Sequence, residues 1–96
     1  MMTNYTEIIR LHEMLTASNI PHTFSEMFGG YHITYPLGAN WVCSVIEHFG
    51  SYGNEDDLLE IMGLLTKEEA EDDSVVGFLT AENVYERISA HYGIGG

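Results

Sequence analysis

The stretch "NEDDLLEIMGLL", residues 54–65, decides how many helices this chain has. Asn54 is a good N-cap, and Glu55, Asp56 and Asp57 follow it where a first helical turn favours negative charge. Leu58, Ile61, Met62 and Leu65 then recur at helical spacing. The pattern predicts a helix with one apolar stripe and an acidic start.

Upstream, Asn4-Tyr-Thr-Glu7 fits a capping box with Asn in the cap position. Ile8, Leu11, His12 and Leu15 give a helical stripe, and Ser18, Asn19 and Pro21 end it, so residues 5–18 are expected to be helical. "HTFSEMF" (22–28) and "YHITYP" (31–36) flank Gly29-Gly30, which reads as a β-hairpin. Pro36 to Asn40 is a second turn, and "WVCSVIEHF" (41–49) is a third strand rich in β-branched and aromatic residues. "GSYGN" (50–54) breaks the chain before the acidic stretch.

Downstream, Thr66-Lys-Glu-Glu69 is a capping box for a short helical turn. "DSVVGFL" (73–79) reads as a connector with apolar anchors. Thr80 caps a last helix whose stripe is Val84, Tyr85, Ile88 and Tyr92. The expected fold is a single α+β domain over residues 1–96, in the order α-β-β-β-α-α. A three-stranded antiparallel sheet is packed by helices, and residues 54–92 form an acidic helical half.

Composition narrows the function. At 96 residues with 45% apolar content, the chain suits one small globular domain rather than a disordered segment. No apolar run approaches a membrane span, and "MMTNYTEIIR" lacks the pattern of a signal peptide, so a cytoplasmic location is expected. Cys43 is the single cysteine and has no intrachain disulfide partner. Fifteen acids against three bases (Arg10, Lys67 and Arg87) give a formal charge of −12. That balance disfavours direct binding to nucleic acid or to anionic membranes. It favours basic protein surfaces or cations as partners.

The acids are clustered. Residues 55–86 hold eleven of the fifteen, and "KEEAEDD" (67–73) has five acids in seven positions. A solvated surface usually interleaves its acids with lysines, whereas here Lys67 stands almost alone. On helices, acids three or four apart are neighbours. Glu55, Asp56, Glu60, Glu68, Glu69, Glu71, Asp72 and Asp73 are therefore expected to form a ribbon of negative charge that meets a partner.

The other candidates are weaker. His12, His22, His32, His48 and His91 show neither HxxxH nor HxH spacing, and His12-Glu13 does not continue into HExxH. His32, Cys43 and His48 can form a nucleophilic or metal site only if strand registers bring them together. Ser44 has no GxSxG context. "GSYGNEDDLLE" matches neither an EF-hand nor a P-loop. The terminal "GIGG" reads as a frayed end. No catalytic residue, cofactor or metal is assigned, and the expectation is a protein that is not an enzyme. The sheet half also carries a surplus of aromatics: Phe28, Tyr31, Tyr35, Trp41, Phe49 and Tyr52. Of these, Tyr31, Tyr35 and Trp41 are the expected interface residues.

The order of helix, three-strand meander and two helices, with its acidic second half, resembles the layout of phage-encoded anti-CRISPR proteins that inhibit a nuclease by mimicking DNA. The stretches "VCSVIEHFGSYGNEDDLLEIMGLLT" and "DSVVGFLTAENVYERI" are similar to small uncharacterised proteins of phages and integrated elements. The resemblance implies a mobile-element origin, action in a bacterial host cell, and a DNA-binding nuclease as the basic partner. It carries over no individual functional residue. The alternative is a homo-oligomeric scaffold or a small-ligand-sequestering protein.

Overall fold

A computed structural model of the chain describes residues 5–38 and 40–93. Asn4, expected as a helix cap, and residues 94–96 of the terminal "GIGG" lie outside the described residues. Among the described residues the elements run α1 (Thr6–Ala17), β1 (Thr23–Met27), β2 (Gly30–Tyr35), β3 (Cys43–Glu47), a 3₁₀ turn (Asn54–Asp56), β4 (Leu59–Met62), α2 (Lys67–Asp72), β5 (Val75–Leu79) and α3 (Ala81–Tyr92). The strands form one antiparallel sheet of five, in the order β1-β2-β3-β4-β5. The α+β expectation holds. The three-stranded sheet and the α-β-β-β-α-α order do not, and the chain departs from the layout on which the resemblance to DNA mimics was drawn.

Two segments account for the difference. Residues 54–65 form no α-helix. After the short 3₁₀ turn, Asp57 takes a left-handed conformation at φ 56°, which no continuing helix accommodates. Gly63 (φ 90°) and Leu64 (φ 56°) bend the chain again. Between these breaks Leu59 and Ile61 are fully buried while Glu60 and Met62 point away from the core. The apolar residues thus satisfy a period of two as well as a helical period. Pairing with Ser44–Ile46 on one side and Val75–Leu79 on the other decides between them. The segment read as a connector, 73–79, supplies β5. Gly77 and Phe78 together oppose Glu60 in a β-bulge.

Local signals elsewhere match the structure. Thr66 accepts from the Glu69 N–H and Glu69 accepts in return from the Thr66 N–H, a complete capping box on α2. Thr80 and Asn83 do the same for α3, and Gly93 ends that helix in the left-handed region. The hairpin between β1 and β2 turns on Phe28 and Gly29, both at positive φ.

The core lies on one side of the sheet. Ile8, Leu11 and Leu15 of α1 and Ala81, Val84 and Ile88 of α3 close over Ile33, Tyr35, Cys43, Val45, Leu59 and Ile61. The alternate strand residues, among them His32, Thr34, Ser44, Ile46, Glu60 and Met62, form the opposite face.

Gly63→Ala separates the strand from the helix the sequence suggests. In a helix, Ala in place of Gly would stabilise by about 1 kcal/mol. Here Gly63 sits at φ 90°, and an added Cβ would overlap the Val42 carbonyl oxygen. The expected result in a denaturant melt is a loss of about 2 kcal/mol or more. A gain would contradict the strand assignment.

Candidate functional site: an acidic groove beside two exposed aromatics

The acids divide by what they touch, and the first group is structural. Glu47, on β3, is fully buried, and its Oε1 accepts from the Ile8 N–H at 3.2 Å. Asp57 accepts from the Glu7 N–H at 3.1 Å and from the Thr6 hydroxyl. Two carboxyl groups from the sheet and the following loop therefore cap the start of α1. Tyr5, at the cap position itself, is left-handed and contributes no side-chain cap. Burial pushes the Glu47 carboxyl up to about 9, and the neighbouring Asp57 carboxylate adds to the shift. Glu47 is thus a protonated acid at neutral pH. Its Oε2 is buried without a hydrogen-bond partner. Burial alone would raise Asp57, but the neighbouring Glu47 carboxyl and hydrogen bonds from Thr6 and the first N–H groups of α1 outweigh it and hold Asp57 below its ordinary range.

Other acids also brace the fold. Glu7 accepts from the Ala81 N–H at 2.7 Å and so caps α3 from α1. Glu69 makes two 2.8 Å hydrogen bonds with the Arg87 guanidinium, which holds it down to about 2. Glu82 pairs with Arg10 on the surface. Glu60 accepts from the Tyr52 N–H at 2.8 Å and fastens the loop before the 3₁₀ turn.

The second group faces solvent around a groove in two connected parts. One part, of about 320 Å³, is lined by Ser51, Tyr52, Gly53, Asn54, Glu55, Asp56 and Phe78. The other, of about 430 Å³, is lined by Tyr52, Glu69, Asp72, Asp73, Val75, Val76, Gly77 and Phe78. Tyr52 and Phe78 are common to both. They are 56% and 61% exposed, too much for rings that serve the core. Tyr52 lies against Gly77, where any side chain would collide with it. Phe78 sits in the bulge at φ 60°, a conformation that costs a bulky L-residue about 1–2 kcal/mol relative to glycine. The arrangement is an aromatic pair with acids at both ends: Glu55 and Asp56 on one side, Asp72 and Asp73 on the other.

The predicted ribbon is therefore only partly assembled. Glu55, Asp56, Glu69, Asp72 and Asp73 converge on the groove, with Glu69 already engaged by Arg87. Glu60 is tied to Tyr52, while Glu68 and Glu71 are exposed on α2 outside the groove lining. Because residues 54–65 are not helical, no single helix spaces these acids.

Of the aromatic candidates, Tyr35 is a core residue, 2% exposed, with its hydroxyl bonded to His91 Nδ1 at 2.8 Å. It has no surface to offer, because it alternates onto the helix side with Ile33. Tyr31 is half-buried and stacks on Phe24. Trp41 is exposed. The strongly exposed rings are Phe28, Phe49, Tyr52 and Phe78. Phe78 escaped the sequence reading, although a glycine inside an apolar run (Gly77) is a recognised sign of a bulge.

The histidine and cysteine candidates separate. Cys43 is buried on the helix side, where burial pushes its thiol up to about 12, so it is no thiolate. His32 projects from the opposite face and meets Ser44 Oγ at 2.8 Å. Burial, and then His48, lowers its pKa. This pair has the spacing of a nucleophile and base, but among the described residues no third group hydrogen-bonds to the other nitrogen of His32. His12 and His22 form a second pair at 2.8 Å beside Phe24. Among the described residues, no three or more His, Cys, Asp or Glu side chains are placed to hold a metal ion, and no helix is long and apolar enough to cross a membrane.

Comparison with known proteins adds no relative: no family model, curated protein or solved structure matches the chain.

The Glu47 cap carries a pH signature. Between the ordinary carboxyl value of 4.5 and about 9, the folded chain holds a proton that the unfolded chain has released. Deprotonation then favours unfolding, so stability falls as pH rises, by up to about 1.4 kcal/mol per pH unit. Glu47→Gln keeps an acceptor for the Ile8 N–H without the titration. Denaturant melts across this range should show a falling slope in the parent that flattens in Glu47→Gln. An equal slope in both would contradict the assignment.

Proposed function

We propose that this chain is an acidic protein-binding module that takes hold of a Lys- or Arg-rich segment of a partner protein. The observation that carries the reading is the groove around Tyr52 and Phe78 with acids at both ends. A guanidinium or ammonium group over an exposed aromatic face gains a cation–π contact, typically about 0.5–1 kcal/mol at such a site. The flanking carboxylates add attraction and speed the encounter at low salt. The strained backbone of Phe78 supports the same reading. Strain of this kind persists where it presents a side chain for use, and here it holds a large ring in solvent.

A groove built for DNA presents basic segments of this kind, so a DNA-binding nuclease belongs among the partners to test. The support is for recognition of a basic segment rather than for a phosphate-spaced ribbon, since the acids come from a 3₁₀ turn, α2 and the turn after it. Such a partner would be inhibited where the same segment must bind nucleic acid.

The test is fluorescence anisotropy with a labelled Arg/Lys-rich peptide, and with basic DNA-binding nucleases, at low and high salt. The combined change Asp72→Lys and Asp73→Lys should weaken binding at least about tenfold, or 1.4 kcal/mol. Glu13→Lys and Glu86→Lys, away from the groove, should leave affinity within about twofold of the parent once overall charge is matched. Binding that responds equally to both pairs would reduce the groove to general charge and contradict the proposal.

Phe78→Gly makes a sharper prediction. Removing a left-handed phenylalanine should leave thermal stability unchanged or raise it, by up to about 1 kcal/mol. The same change should weaken peptide binding. A clear loss of stability with unchanged binding would make Phe78 a structural residue.

A further inference from the structure

The outer edge of β1 is unpaired among the described residues. The strand runs Thr23–Met27 with an unbroken register against β2 and no bulge. "TFSEM" contains no Pro and no Lys, the residues that commonly block an open edge. Among the described residues, β2 is the one strand paired with it, and Ser25 and Glu26 are exposed.

Its hydrogen-bonding parity follows from the turn. A two-residue turn with both residues at positive φ closes on a hydrogen-bonded pair, here Met27 and Gly30. Thr23, Ser25 and Met27 therefore direct their main-chain groups to β2. The Thr34 N–H, which points toward β1 and reaches the Thr23 side-chain hydroxyl, and the Tyr35 carbonyl, which turns the other way to Val42, agree with that alternation. Phe24 and Glu26 are left with N–H and C=O groups pointing out of the sheet.

We propose that β1 pairs with β1 of a second copy, antiparallel about a two-fold axis through Ser25, to make one continuous sheet of ten strands. That register sets Phe24 of each copy opposite Glu26 of the other, so all four outward groups on each copy find partners. It sets Ser25 beside Ser25, and Thr23 across from Met27. No two glutamates come face to face.

Charge selects this edge over the rest of the surface. Residues 18–36 contain one of the fifteen acids, Glu26, while residues 55–86 contain eleven. The sheet order places β1 and β5 at opposite margins, four strand spacings or about 19 Å apart. Two copies with a formal charge of −12 each repel least when they meet along β1. The assembly would carry its two acidic grooves at the outer margins, facing away from each other.

The test needs no partner protein. Sedimentation analysis from micromolar to millimolar concentration should show the mass doubling, more readily at high salt because screening relieves the repulsion. Glu26→Pro removes an outward N–H without touching the β2 ladder. It should remain monomeric while keeping the parent circular dichroism. Ser25→Cys places two thiols on the axis, where facing Cα atoms in a pair without hydrogen bonds lie about 4.5 Å apart, within reach of a disulfide. Mild oxidation should link this variant into a covalent dimer, while Glu71→Cys on the far margin should not link. The cross-link decides the matter should Glu26→Pro fail to fold. A chain that stays monomeric throughout overturns the proposal and leaves β1 to an extended segment of another protein. A dimer indifferent to Glu26→Pro, with no Ser25→Cys cross-link, overturns it too.

Discussion

The start of α1 is held by two carboxyl groups that are distant in sequence, and much of the architecture hangs on that contact. Glu47 comes from the end of β3 and Asp57 from the loop after the 3₁₀ turn. Together they satisfy N–H groups that Tyr5, in its left-handed conformation, does not cap. The same turn of helix sends Glu7 to the first N–H of α3. One small cluster therefore ties α1 to the sheet, to the loop and to the other long helix. A buried, ionised Glu47 beside Asp57 would be costly, and retaining its proton avoids that cost. The chain thus uses acids where many proteins use local Ser or Thr caps.

That use reframes the net charge. Glu7, Glu47, Asp57, Glu69 and Glu82 each bond a helix terminus or an arginine. What remains free is concentrated beside β5 and the 3₁₀ turn, around two rings that no core needs. The tether from Glu60 to the Tyr52 N–H, the bare backbone of Gly77 and the bulge at Phe78 are separate devices that converge on one small area. Their convergence, rather than the total of −12, distinguishes a docking surface from a generally solvated one. The opposite margin of the sheet is nearly free of acids, so the molecule is electrically lopsided across its strands.

Elements specified by neighbours in sequence were legible. The stripes of α1 and α3, the capping boxes at Thr66 and Thr80, the β1–β2 hairpin and the strand through Cys43 all follow from local chemistry. β4 and β5 were not legible, because each is short and each exists by pairing with the other. Leu58, Ile61, Met62 and Leu65 satisfy a helical period as fully as Leu59 and Ile61 satisfy a strand period, and local acids after Asn54 tilt the reading toward helix. Tertiary pairing reversed it. For the site, the acidic stretch was visible, but its subdivision was not, since the role of Glu47 or Glu69 depends on partners thirty-nine and eighteen residues away. Tyr35 was misplaced for a related reason. A tyrosine's side of a sheet follows from register, which composition does not contain.

The division of the acids between bracing and docking is tested most directly by a carbon-13 NMR spectrum of the side-chain carboxyls. The spectrum would be recorded at low salt with and without an Arg-rich peptide. The carboxyl signals of Glu55, Asp56, Asp72 and Asp73 should move, while those of Glu7, Glu47 and Asp57 stay in place. An even drift of all exposed acids, Glu13 and Glu86 included, or no movement at the groove, would contradict it.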